Sequence, residues 1–176
     1  MWINLRRVNE HHNQYLAVIG RGLAVAQHLE ATLRFVLITV ETVEAGQRGE
    51  LNDWDDWKAI GDRVRKLFLK QIVHKINRPL KLSGSDLTLL EAGREVRNFL
   101  AHEAAVVVSE YPDSSDDIAQ KVKDLQVRLR TLADADNLVS GWSYEIQEKE
   151  PSPKAFSLRY ANEVVRWILD PLNQAM

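Results

Sequence analysis

Apolar residues recur at steps of three and four over residues 14–44, and no other feature of the chain limits its fold as strongly. Residues at this spacing lie along one stripe of an α-helix, since each residue turns the helix by about 100°. Only 8 Gly and 5 Pro interrupt the 176 residues, so helix is favoured elsewhere too. The stripe consists of Ile19, Leu23, Ala26, Leu29, Leu33, Val36, Val40 and Val43.

Four further helices are predicted, over residues 52–76, 86–108, 114–132 and 160–172. Capping residues support the starts: Asn52 or Asp53 for the first, and Ser83-Gly84-Ser85 for the second. Tyr111-Pro112-Asp113 is expected to end the second. Residues 136–156 predict an irregular excursion with a short β-hairpin of 142–147 and 155–158. The expectation is a single domain over 1–176, an all-α, up-and-down bundle of four to five helices with that hairpin before the last one.

The composition excludes several classes of site and protein. The chain has no cysteine, which rules out disulfides, thiolate metal sites and cysteine nucleophiles. The longest apolar runs, such as 35–38 and 104–108, are too short to cross a bilayer, and residues 1–7 lack the apolar core of a signal peptide. We therefore expect a cytoplasmic protein with no membrane partner. The net charge of −2 neither supports nor excludes RNA binding.

The helix predicted over 86–108 carries the residues that suggest chemistry. Arg94, Asn98 and His102 are spaced four apart and form a row, with Arg97 beside it. An arginine fork can bind a phosphate and neutralise developing charge, and a histidine can transfer a proton near neutral pH. Such a set suits cleavage of RNA, in which the 2′-hydroxyl is the nucleophile and no metal or cofactor is needed. One histidine supplies half of an acid/base pair, which favours a site completed by a second copy.

The segment Arg97-Asn98-Phe99-Leu100-Ala101-His102 resembles the R-x4-6-H signature of HEPN domains, in the form where asparagine follows the arginine. The resemblance implies a helical bundle, a homodimer that brings two signatures into one cleft, and metal-independent endoribonuclease activity leaving a 2′,3′-cyclic phosphate. It also implies a role as a toxin with a cognate antitoxin protein, or in antiviral defence. Carried over by position, Arg97 and His102 are catalytic and Asn98 orients them.

Other residues are expected to support this site. Arg94 and Glu95 lie beside the signature, and Lys66 and Lys70 are candidates for holding phosphates. Glu30 ends an Ala-Gln-His-Leu-Glu string that resembles the first helix of HEPN domains, and the resemblance implies that it braces the site. No metal site is predicted. One departure is Ala104, since HEPN proteins paired with small nucleotidyltransferases have a tyrosine at that place. Residues 58–81 contain eight basic residues and one acidic residue, Asp62. The basic residues are Lys58, Arg63, Arg65, Lys66, Lys70, Lys75, Arg78 and Lys81.

Simpler interpretations compete with each of these. Taken singly, His102 is more typical of a surface histidine bonded to Glu91 or Glu95, and Arg97 of a surface salt bridge, but their combination with Asn98 favours the site. The basic run is equally typical of a solvated helix face. Trp142 and Tyr144 are better candidates for base stacking than Trp54 and Trp57, which are flanked by acids and are more typical of helix anchors. The rival hypotheses are a non-catalytic HEPN module that binds RNA, a nucleotide or a protein, and a helical adaptor whose polar strip is a dimer interface.

Overall fold

The computed structural model describes residues 10–104 and 115–173, with the side chains of 13–104, 121–153 and 158–171. Six helices are present in these ranges and no strand is found there. They are α1 (Glu10–Gln47), α2 (Trp54–Arg65), α3 (Leu69–Leu80), α4 (Gly84–His102), α5 (Ser115–Glu148) and α6 (Lys154–Asn173). The all-α prediction is confirmed.

The 38-residue helix α1 is the centre of the bundle, and each of the other five helices packs against it. α5 also packs along α4 and α6, while α3 also contacts α4. The apolar stripe predicted for α1 supplies much of the core, because most of its members are buried. The largest fully buried side chains are Leu29, Leu33, Leu37, Ile72, Ile76, Leu90, Leu100, Leu125, Leu129, Leu132 and Ile168.

By length and composition alone, the part of α1 from Asn13 to Gln47 is apolar enough to cross a membrane. Neither a membrane nor a cytoplasmic location follows from this. A helix at the centre of a helical bundle has the same composition, because it is surrounded by apolar neighbours on several sides.

The single helix predicted over 52–76 is wrong, since residues 66–68 separate two helices there. Asp53 is the cap of α2 as predicted, and its Oδ1 accepts hydrogen bonds from the backbone N–H groups of Asp55 and Asp56 at 2.9 and 3.1 Å. The break is stabilised from outside the segment, because Arg34 of α1 donates to backbone carbonyls at 64, 65 and 67. Within the described ranges, this split gives six helices where five were predicted.

The irregular excursion and its hairpin are also wrong. Residues 142–147 belong to α5 and 155–158 to α6, so the described break covers only 149–153. α5 continues because Trp142 and Ile146 extend the apolar stripe of Leu132 and Val139 at helical spacing and pack against the core. The turn begins at Lys149, whose φ of 58° is left-handed, and Pro151 and Pro153 follow.

The bounds of α4, α5 and α6 differ from the predicted bounds by two residues or more at one end at least. α4 begins at Gly84 and ends at His102, whereas 86–108 was predicted; residues 105–108 and the predicted stop at 111–113 lie outside the described residues. α5 begins at Ser115 as expected but runs to Glu148 instead of 132. α6 begins at Lys154, six residues before the predicted start at 160.

Candidate functional site

Helix α4 is fixed at its start by a reciprocal cap and along its length by the core. Ser83 Oγ accepts from the Asp86 N–H at 3.1 Å, and Asp86 Oδ2 accepts from the Ser83 N–H at 3.3 Å. The buried residues of α4 are Leu90, Gly93, Val96 and Leu100. The side chains between these positions face α1 or the surface, and the predicted site residues of α4 are among them.

Arg97 points towards α1. Its Nη2 donates to Glu30 Oε2 at 3.1 Å, and its Nη1 donates to Asn98 Oδ1 at 3.4 Å. The side chain is 32% exposed, so Arg97 is held by protein groups and is still partly accessible to solvent. Asn98 therefore contacts Arg97, and Glu30 braces the arginine at the position that the sequence suggested.

Glu30 joins this arginine to a second one. Its Oε1 accepts from Arg34 Nη2 at 2.7 Å. Burial of the Glu30 carboxyl acts to raise its pKa, but hydrogen bonds and charges from Arg34 and Arg97 outweigh burial and lower the pKa. Glu30 is thus a carboxylate at neutral pH and holds two guanidinium groups in place.

Arg34 carries the network to the end of α2. Its Nη1 donates to the carbonyl oxygens of Val64 and Arg65 at 2.8 and 3.0 Å, and its Nη2 donates to that of Leu67 at 3.0 Å. Carbonyls at a helix C-terminus lack partners within the helix and carry partial negative charge. Arg34 therefore fixes the loop of residues 66–68 beside Glu30, in series with Arg97.

The predicted supporting residues occupy two places. Arg94 donates to Glu91 Oε2 at 2.8 Å and to Glu95. The hydrogen bond to Glu91 is the largest of the causes that raise the pKa of Arg94, and Glu95 adds to it. Arg94 and Glu95 are thus paired with each other along α4. Lys66 and Lys70 are exposed on either side of the 66–68 loop and have no ion-pair partner in the described part of the chain.

His102 lies in the last turn of α4 and is exposed. Its side chain has no hydrogen bond or ion pair with any described residue, so the bonds to Glu91 or Glu95 that the sequence allowed are not formed. Five residues turn an α-helix by about 140° relative to the starting direction. Arg97 and His102 of one chain therefore leave α4 in different directions, and only Arg97 faces α1.

A buried polar cluster lies elsewhere and was missed in the sequence. Asp136 of α5 is 0% exposed, its Oδ1 lies 2.8 Å from His28 Nδ1, and its Oδ2 accepts from the Tyr160 hydroxyl. Burial first, and the Asp136 carboxylate second, raise the pKa of Tyr160. One signal was available: Asp136 falls on the apolar stripe of α5 between Leu132 and Val139, where a charge requires partners.

The described residues contain no group of three or more histidine, aspartate or glutamate side chains arranged to hold a metal ion. A groove of about 550 Å³ between α1 and α3 is lined by His74, Lys75 and Arg78 together with Glu41 and Glu44. It lies at the C-terminal end of α1, whereas Glu30 is near the middle of that helix, and none of the predicted site residues lines it. Comparisons with protein-family models, curated proteins and solved structures found no match.

Proposed function

We propose that the chain is a metal-independent endoribonuclease of HEPN type that acts as a homodimer. The observation that carries the proposal is the state of the two signature residues. Arg97 is held by Glu30 and Asn98 yet stays partly exposed, and His102 is exposed without a partner among the described side chains. A positioned cation and an accessible imidazole are the groups that cleavage of an RNA phosphodiester requires.

The proposed reaction is an internal transesterification that releases the downstream fragment with a 5′-hydroxyl. A base removes the proton of the 2′-hydroxyl, the O2′–P bond forms, and the P–O5′ bond breaks. An acid donates a proton to the departing O5′, which leaves a 2′,3′-cyclic phosphate on the other product. Arg97 neutralises negative charge on the phosphoryl oxygens as it develops, and His102 serves as the acid or the base.

A second copy of the chain completes this site. One chain offers a single His102, and helix geometry turns it away from Arg97. A two-fold axis near the end of α4 would bring two histidines and two arginines to one cleft. In that cleft Arg94 and Glu95 keep the α4 surface ordered, while Lys66 and Lys70 hold flanking phosphates. We place the activity in a toxin or defence effector, restrained by an antitoxin protein.

Replacement of His102 tests the catalytic assignment. His102→Ala should abolish cleavage of labelled RNA while circular dichroism and the mass in solution stay unchanged, because the exposed side chain stabilises nothing in the fold. His74→Ala is the matched control, since His74 is also an exposed histidine on a helix, α3. The assignment is wrong if His102→Ala cuts RNA as fast as the parent, or if His74→Ala loses the same activity.

One observation favours a second function, a non-catalytic module that binds RNA through the same cleft. The Arg97 guanidinium already has an ion-pair partner in Glu30 at 3.1 Å, and a paired guanidinium has less charge to offer a transition state. This alternative predicts RNA binding without turnover, weakened by Arg97→Ala. Parallel binding and cleavage assays on the same RNA separate the two functions.

A further inference from the structure

Phe68 occupies a position that neither helix capping nor the core explains. It is the N-cap of α3, where serine, threonine, aspartate and asparagine are preferred because their side chains accept a backbone N–H. A phenyl ring cannot do so, and the hydrogen bonds at Phe68 are made by its backbone: the N–H donates to Gln71 Oε1 at 2.8 Å, and the carbonyl accepts from the N–H groups of Gln71 and Ile72. The side chain is 78% exposed. The ring therefore stabilises neither the helix nor the core.

Two lysines flank Phe68 and have no ion-pair partner among the described residues. Lys66 precedes it and Lys70 follows it by two residues each, and both are exposed. Several neighbouring cations are already neutralised, since Arg63 and Lys75 pair with Glu41 and Arg65 pairs with Asp62. Within the described residues, no carboxylate forms an ion pair with Lys66 or Lys70. The ring therefore has an unpaired lysine on each side.

The loop that carries Phe68 is tied to the signature arginine. Arg34 binds the Leu67 carbonyl at 3.0 Å, Glu30 binds Arg34 at 2.7 Å, and Arg97 binds Glu30 at 3.1 Å. Three charged side chains in series thus connect the residue next to Phe68 with Arg97. Phe68 is presented by a fixed backbone on the same side of α1 as the proposed cleft.

We propose that Phe68, flanked by Lys66 and Lys70, is a stacking platform for one base of single-stranded RNA. The lysines bind the phosphates on either side of that base, and the strand continues to the phosphate at Arg97. Naming RNA as the ligand rests on the proposed function. Charge favours it over a protein partner, because lysine is depleted from protein interface cores, whereas alternating cations and an aromatic ring match a single strand.

Binding of a single strand that cannot be cut tests this platform independently of catalysis. The probe is a 2′-O-methyl RNA oligonucleotide, which lacks the nucleophilic hydroxyl, with a fluorescein end label and an internal 2-aminopurine. Phe68→Ala should weaken binding roughly five-fold or more, since stacking on an aromatic ring contributes about 1–3 kcal/mol per base. The 2-aminopurine quenching seen with the parent should be lost in this variant.

Trp54→Ala is the matched control. Trp54 is 76% exposed and lies at the start of α2, much as Phe68 lies at the start of α3. Its neighbours are Asp53, Asp55 and Asp56, whose negative charges repel phosphates. We expect binding within two-fold of the parent. Phe68→Ser should separate function from fold, because serine can cap α3: the Tm should rise by roughly 2–4 °C while RNA binding falls as in Phe68→Ala.

The lysines are tested by salt dependence. Lys66→Gln/Lys70→Gln should make the slope of log K against log salt shallower by about 1.4, the value for two phosphate contacts to a single strand. The platform is refuted if the parent binds no probe, or if Phe68→Ala binds as the parent does. It is also refuted if Phe68→Ala changes only the mass in solution, which would assign the ring to a contact between copies. If the parent binds through Phe68 but cuts no RNA, the catalytic proposal fails and the platform stands.

Discussion

Gly93 sets how closely α4 approaches α5, and its replacement by alanine gives the sharpest test of the helix packing that supports the site. A Cβ at Gly93 would lie 2.7 Å from the Cβ of Ala135 and 3.5 Å from Cδ2 of Leu29. Both Cβ atoms are attached directly to helix backbones, so no side-chain rotation relieves the contact. The helices must separate, and Arg97 lies one turn further along α4.

Two opposing effects set the change in the free energy of unfolding of Gly93→Ala. Alanine in place of glycine inside a helix stabilises it by about 1 kcal/mol. Forcing an extra methyl group into a packed contact costs about 1–3 kcal/mol, and a contact between two fixed Cβ atoms belongs in the upper part of that range. Gly93→Ala should therefore lower the free energy of unfolding by about 1–2 kcal/mol.

Urea denaturation at 25 °C measures this change, with Gly20→Ala as the matched control. A Cβ at Gly20 of α1 meets no atom within 4 Å, so that variant should be more stable than the parent by about 1 kcal/mol. Gly93→Ala/Ala135→Gly moves the methyl group from α5 to α4, and the two changes should couple favourably by about 1–3 kcal/mol. Stabilisation by Gly93→Ala equal to that by Gly20→Ala would refute the close approach of α4 and α5.

Two further predictions concern the polar clusters. The pKa of Glu30 is lowered in the folded state, so its contribution to stability is present above the unfolded pKa and is lost as the pH falls through the folded pKa. The stability of the parent should therefore drop more steeply than that of Glu30→Gln between about pH 5 and 3. Parallel slopes of stability against pH in denaturation experiments would contradict this. Tyr160→Phe leaves buried Asp136 with His28 as its remaining partner from that cluster, so urea denaturation should show a loss of about 1–3 kcal/mol, whereas Tyr144→Phe, which changes a partly exposed ring, should show almost none.

The helical class and several helix starts could be predicted because they depend on local patterns. The α1 stripe and the Asp53 cap each involve residues within one helix or one turn. The break at 66–68 could not be predicted in this way, because Arg34, about thirty residues earlier in the chain, binds the carbonyls that end α2. The hairpin prediction was wrong because Trp142 and Ile146 continue the apolar stripe of α5 at helical spacing and pack against the core.

The candidate site was predictable to a similar extent. The spacing of Arg97, Asn98 and His102 follows from the sequence, and Glu30 could be named as a brace because HEPN-like first helices carry a similar string. The link through Arg34 to the Phe68 loop depends on how α1, α2 and α4 pack together. No pattern in the sequence places these helices side by side, so nothing in the sequence indicated Phe68 as a stacking residue.

The chemical identity of the RNA ends tests the central claim most directly. Wild-type protein is incubated with a defined RNA in excess EDTA, and the products are weighed by mass spectrometry. Cleavage through the 2′-hydroxyl predicts fragments ending in a 2′,3′-cyclic phosphate, paired with fragments beginning in a 5′-hydroxyl, at a rate that added magnesium does not increase. Intact RNA, or cleavage that needs the metal and leaves 3′-hydroxyl and 5′-phosphate ends, would contradict the account.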